Sequence, residues 1–217
     1  MTGDAVRTTV LSVQMLPNAD PMLLKRLDLP PEHRSLGFIT TDCDDVSYAA
    51  LDEATKKANV QVAYARSMYA GSSNASTKLA GEFIGVLSGE DPAEVKSGLD
   101  AAVRYAREDA TFYSANEDDS VVYFAQCISR TGSYLSKMAE VPEGTAMAYL
   151  IAPPVEAMVG LDAALKAAEV ELRVFYGPPT ETNFAGGLLT GEQSACKAAC
   201  AAFAEKVREI AATPFGC

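Results

Sequence analysis

The sequence has a single histidine, His33, and five cysteines, Cys43, Cys127, Cys196, Cys200 and Cys217. It holds no Gly-x-Gly-x-x-Gly, no Gly-x-x-x-x-Gly-Lys-Ser/Thr and no Cys-x-x-Cys, so the usual phosphate-cradling loops and dithiol motifs are missing. A lone histidine in a Pro-rich turn reads as a surface turn residue, which leaves acid–base chemistry and Ser or Cys triads without a base. The odd cysteine count, with no leader ahead of it, argues for reduced thiols in the cytoplasm. Met1-Thr2-Gly3-Asp4-Ala5-Val6-Arg7 carries no apolar export core. No stretch of 18 apolar residues exists, and the run near Tyr149-Leu150-Ile151 is cut by Pro153-Pro154 and Glu156. Basic residues are scarce, 18 Lys and Arg against 29 Asp and Glu, for a net charge of -11. Such a surface repels nucleic-acid phosphates and anionic membranes, so neither is expected as a partner.

What the sequence does hold is a repeat. Leu51-Asp52-Glu53-Ala54-Thr55-Lys56-Lys57-Ala58-Asn59-Val60-Gln61-Val62 returns as Leu161-Asp162-Ala163-Ala164-Leu165-Lys166-Ala167-Ala168-Glu169-Val170-Glu171-Leu172, at an offset of 110. A unit of about 100 residues can bury its own core, so the period implies two tandem domains and not a solenoid. The boundary is placed at 113/114, giving domains 1–113 and 114–217. With 48% hydrophobic residues, the 217-residue chain has enough apolar material for two cores.

Periodicity places the elements of each half in one order. In the first, Thr9–Met15 alternates as a strand. Asp20 and Pro21 start a short helix over Met22–Leu27, and Ser35–Thr40 is a second strand. Asp44 or Asp45 caps a helix to about Ala58, with Val46, Ala50, Ala54 and Ala58 in an i, i+4 row beside Leu51. Val60–Ala65 and Glu82–Leu87 are strands about a Gly- and Ser-rich loop, Asp91-Pro92 starts a helix to about Arg107, and Glu108–Asp119 is a linker. In the second half, Val121–Ile128, Met147–Ile151, Val170–Phe175 and Gly187–Thr190 are strands. Gly132–Ala139, Pro154–Glu169 and Ser194–Ala211 are helical. Leu87-Ser88-Gly89 matches Leu189-Thr190-Gly191 at an offset of 102. The halves therefore differ in the loop between their last two strands, where function usually sits.

Several residues have two readings. Asp42, Asp44 and Asp45 precede a helix, where one carboxylate suffices as a cap and another suits an ammonium ligand. Cys196 and Cys200 are spaced to share a metal, but also share a face with Ala199, Phe203 and Val207 at core spacing, which favours buried thiols. The donors of Ser129-Arg130-Thr131-Gly132-Ser133-Tyr134 suit an anion or, preferably, a turn and helix cap. Tyr69 and Phe184, in the two inter-strand loops, either line a pore or anchor the loops.

Lys56-Lys57-Ala58-Asn59-Val60 and Lys166-Ala167-Ala168-Glu169-Val170, each between a helix and a strand, resemble the signature of the bacterial microcompartment shell domain. Ser35-Leu36-Gly37-Phe38-Ile39-Thr40, Ala65-Arg66-Ser67-Met68-Tyr69-Ala70-Gly71 and Pro178-Pro179-Thr180-Glu181-Thr182-Asn183 are similar to the L-type shell proteins of the ethanolamine-utilization microcompartment. The likeness runs from about Val10 to Ala211. It implies an α+β fold of two tandem, circularly permuted shell domains, each a ferredoxin-like antiparallel sheet with helices, and a homotrimer that forms a pseudohexameric tile. It implies a structural protein without catalytic residues, set in the shell of a cytoplasmic microcompartment beside other shell proteins. A gated central pore would pass metabolites or cofactors. Small pores would bind ethanolamine through Asp45, Glu82 and the backbone around Phe112, and Lys56 and Lys166 would make tile-edge contacts. No cofactor is required; zinc and cobalamin are candidate pore ligands without assigned residues. A tandem small-molecule-sensing regulatory protein is the alternative.

Overall fold

The computed structural model describes residues 1–68, 83–178, 180 and 182–215. The elements run in chain order. Strand β1 (Ala5–Val6) and strand β2 (Val10–Leu16) precede helix α1 (Pro21–Arg26), strand β3 (Ser35–Thr41) and helix α2 (Asp44–Lys57). Strands β4 (Gln61–Ser67) and β5 (Phe83–Gly89) follow, then helix α3 (Pro92–Arg104), a π-helical turn at Tyr105–Asp109, and strand β6 (Phe112–Ser114). The rest comprises β7 (Val122–Ile128), α4 (Ser133–Ala139), β8 (Met147–Ala152), α5 (Pro154–Ala167), β9 (Val170–Tyr176), β10 (Ala185–Gly191) and α6 (Gln193–Ala212).

The chain divides into two compact units. One holds Thr8–Ala110 together with Gly132–Leu135; the other holds Met1–Arg7, Thr111–Thr131 and the chain from Ser136 onward. The first has an antiparallel sheet ordered β2-β3-β5-β4, and the second has β7-β8-β10-β9 extended at its β7 edge by β6 and β1. In both, the third strand of the four in sequence lies at the far edge and the fourth lies inside. The 110-residue echo is therefore an echo of topology. The helix spans repeat at the same offset, Asp44–Lys57 against Pro154–Ala167.

Packing explains the small residues of the repeated helix. Val46, Ala50, Leu51 and Ala54 are fully buried on α2, and α2 packs on α3, β4 and β5. Alanines let its axis approach the sheet, while Leu51, Phe83, Leu87 and Leu99 fill the volume. In the other unit Leu150, Leu161, Leu189, Cys196 and Phe203 form the core between the sheet and the α5–α6 pair. Each fully buried Leu or Phe contributes about 1.5–3 kcal/mol.

Three sequence expectations are corrected. The N-cap of α2 is Cys43, without a side-chain cap bond; Asp44 and Asp45 lie inside the first turn, where the helix dipole favours them. The segment 108–119 is more than a linker, because Phe112–Ser114 pairs with both β1 and β7. These strands of two and three residues are too short to show period-2 alternation. The third helix ends at Arg104 and passes into the π turn, whose Tyr105 and Ala106 are buried. By contrast Asp20 caps α1 as its sequence implies, accepting the Met22 amide at 2.8 Å with Pro21 in the first turn.

Cys196 and Cys200 lie in the core, and burial pushes their thiols up to about 11 and about 12 respectively. They are uncharged at neutral pH, as buried small hydrophobes should be. Labelling with Ellman's reagent at pH 7.5 is expected to leave both unmodified until denaturant is added. Prompt labelling of either in the folded chain would contradict this packing.

Candidate functional site on helix α2

Helix α2 carries two clusters of buried polar groups. The first is at its start. The Ser67 hydroxyl donates to Asp44 Oδ2 at 2.7 Å, and the Tyr48 hydroxyl lies 2.8 Å from Ser67 Oγ. Since Ser67 gives its proton to the carboxylate, Tyr48 donates to Ser67, and the relay runs from Tyr48 through Ser67 to Asp44. Asp44 Oδ1 also accepts the Asp45 amide at 2.9 Å. The Thr41 and Ser47 hydroxyls lie 2.6 Å apart and both reach the Cys43 carbonyl, at 2.8 and 2.7 Å. Asp44 and Asp45 are both buried. Burial, with Asp45 and Asp44 adding to it, pushes the Cys43 thiol far above its ordinary range. It therefore stays protonated, neither nucleophile nor metal ligand. Tyr48 is also raised, chiefly by burial. The start of α2 thus gathers two buried carboxyl groups with the hydroxyls of Thr41, Ser47, Tyr48 and Ser67.

The second cluster lies two turns further on and answers the question of the glycine loop. Asp52 is fully buried. Its Oδ2 accepts the Gly132 amide at 2.7 Å and its Oδ1 the Leu135 amide at 2.8 Å, while Thr55 Oγ1 accepts the Ser133 amide at 3.1 Å. The loop does bind an anion, and the anion is a side chain of the same unit. It is a helix cap supplied across 80 residues of sequence instead of from a neighbour. Burial raises the Asp52 carboxyl, with the two amides and Lys56 opposing. Gly132 is required at this contact. A Cβ there would lie 2.3 Å from Thr55 Oγ1 and 2.5 Å from the Asp52 carbonyl oxygen.

Asp45 stands in the α2 unit, Phe112 on β6 of the other unit, and Glu82 lies outside the described residues. Phe112 is buried, stacked on Phe124 at 5.3 Å and met edge-on by Phe184 at 6.0 Å. Phe184 thus anchors its loop to the core, while Tyr69 lies outside the described residues. Lys56 pairs with Glu53 at 2.5 Å and with Asp52 at 3.6 Å, whereas Lys166 is 75% exposed and pairs with Asp162 at 2.6 Å. His33 is in the expected turn, its amide bonded to the Pro30 carbonyl, but its ring is buried with Nδ1 3.0 Å from Ser88 Oγ. The strand residue that buries it is 55 positions away and gave no local signal. Ser67 and Tyr48 were missed for the same reason. Among the described residues no group of three or more His, Cys, Asp or Glu could hold a metal, and no helix is long and apolar enough to cross a membrane.

Comparison with known proteins decides the family. The BMC domain model matches residues 35–117. The chain is 64% identical over 216 residues to the bacterial microcompartment shell protein EutL of Clostridium perfringens (strain 13 / Type A), covering 100% of both. It is 47% identical to EutL of Escherichia coli (strain K12), covering 97% of this chain and 96% of that one. The chain belongs to the EutL family of bacterial microcompartment shell proteins. The crystal structure of the ethanolamine utilization protein EutL from Leptotrichia buccalis C-1013-b superposes with a TM-score of 0.97, at 64% identity over 100% of both chains. As a EutL-family member the chain is a structural component of the microcompartment shell and not an enzyme. The sensor alternative gives way to that role. The repeated sheets are then the two tandem shell domains that the sequence resemblance implies.

Proposed function

We propose that three copies assemble into a pseudohexameric tile, that tiles join each other and other shell proteins along edges bearing Lys56 and Lys166, and that the tile controls small-molecule passage across the ethanolamine-utilization shell. The observation that carries this reading is the matched pair of sheets, β2-β3-β5-β4 and β7-β8-β10-β9, in a chain of the EutL family. Two like but unequal domains per chain make six per trimer, with threefold symmetry. A central pore at the threefold axis, opening and closing through the loops in which the halves differ, follows from that arrangement. The domain boundary at 113/114 belongs to the same reading.

Ethanolamine is assigned to small pores that use Asp45, Glu82 and the backbone around Phe112. The buried carboxylates and hydroxyls at the start of α2 support it, because an ammonium gains charge-assisted hydrogen bonds there that water alone does not match. Zinc and cobalamin have no assigned residues in this scheme. Titration calorimetry tests the ligand: Asp45→Ala is expected to weaken ethanolamine binding by about 10-fold or more, the worth of one charge-assisted bond. Unchanged affinity removes Asp45 from the site. Light scattering after size exclusion tests the tile, with a mass of three chains expected and a monomer at all concentrations overturning it.

A further inference from the structure

Helices α2 and α5 correspond residue for residue, yet one outer stripe is covered and the other is bare. On α2 the stripe is Tyr48, Ala49, Asp52 and Thr55, all buried or half-buried. Its cover is Gly132–Leu135: the Tyr48 ring stacks on Tyr134 at 6.2 Å and 15°, and Asp52 and Thr55 hold the amides described above. At the same positions on α5 stand Met158, Val159, Asp162 and Leu165, all exposed, with Val155 one turn earlier 65% exposed. An apolar row of this kind on a helix marks a contact surface.

The repeat also says what covers it. Gly132–Leu135 follows strand β7, and the segment that follows the matching strand β2, at an offset of 112, is Asp20–Leu23. There Met22 is 80% exposed and Leu23 is exposed as well, and they stand at the positions of Tyr134 and Leu135.

We infer that Asp20–Leu23 of one copy of this chain seats on the Val155–Leu165 stripe of α5 in a second copy, with Met22 over Met158 as Tyr134 lies over Tyr48. This inference rests on the trimeric-tile reading and names the surfaces that build it. The contact is head-to-tail, so every copy carries both halves of it and a closed ring leaves neither bare. The polar clamp of the covered stripe is exchanged for an apolar one. Asp162 is already paired with Lys166, and the Asp20 carboxylate already accepts the Met22 amide. Methionine on methionine, both flexible, suits a contact that must form between separate molecules.

Light scattering across a dilution series of the full chain, wild type against Met22→Asp and Met158→Asp, tests this together with oxidative cross-linking of Met22→Cys/Met158→Cys. Each Asp variant is expected to keep the wild-type far-UV circular dichroism spectrum and to need about 100-fold higher concentration to assemble, the effect of truncating a central apolar anchor. The Cys pair is expected to give a disulfide-linked three-chain species that neither single Cys variant gives. Wild-type assembly with both Asp variants unaffected and no cross-link overturns the inference and leaves the tile standing. A wild-type chain that stays monomeric throughout overturns the tile, and the inference with it.

Discussion

Asp52→Ala is expected to lower the unfolding free energy by about 2–5 kcal/mol, because it orphans two buried amides at once. Gly132 and Leu135 both donate to this carboxylate, at 2.7 and 2.8 Å, in a place without solvent access. The control is its repeat partner. Asp162 is on the same turn of α5, but its side chain is 59% exposed and makes an i, i+4 ion pair with Lys166. Such exposed pairs contribute about 0.3–0.5 kcal/mol, so Asp162→Ala should be nearly silent. Urea denaturation of the two variants measures the contrast. Equal, small losses in both would mean that the Asp52 bonds do not hold the loop.

Asp52 also carries a pH signature. Burial raises its carboxyl above the ordinary value, outweighing the amides and Lys56. Between the unfolded and folded values the native chain keeps a proton that the unfolded chain has released. The stabilisation from this group is therefore complete below the unfolded value and is lost as pH rises through the folded one. The penalty of Asp52→Asn should accordingly be largest in acid and shrink as pH rises through that window. A penalty that grows with pH would reverse the sign of the shift.

Gly186→Ala is the other substitution with a large expected effect. Gly186 is the second residue of β10, opposite Ile151 of β8 and Tyr176 of β9. A Cβ there would lie 1.9 Å from the Leu150 carbonyl oxygen. That atom is backbone in the middle of a sheet and cannot rotate away, so the β8–β10 pairing must open. A loss of about 3 kcal/mol or more is expected, at the top of the usual range for overpacking. A loss below about 1 kcal/mol by the same denaturation assay would show that the sheet relaxes easily here.

Much of the architecture is local information and was readable as such. The Asp20-Pro21 start, the Val46-Ala50-Ala54 row and the Leu51/Leu161 repeat are signals within a few residues of one another, governed by helix period and capping chemistry. The resemblance of its motifs carried the family, and the buried Cys196 and Cys200 followed from core spacing with Phe203. The sequence by itself also made Asp52 and Asp162 look alike. Only tertiary structure distinguishes them, since what separates a buried cap from a solvated ion pair is a loop 80 residues further on that covers one helix stripe and leaves the other open. The same holds for His33, buried by a strand 55 residues away, and for β1, two residues long and a strand only because β6 lies beside it. Burial and long-range pairing are properties of which surfaces meet, and no window of sequence contains both surfaces.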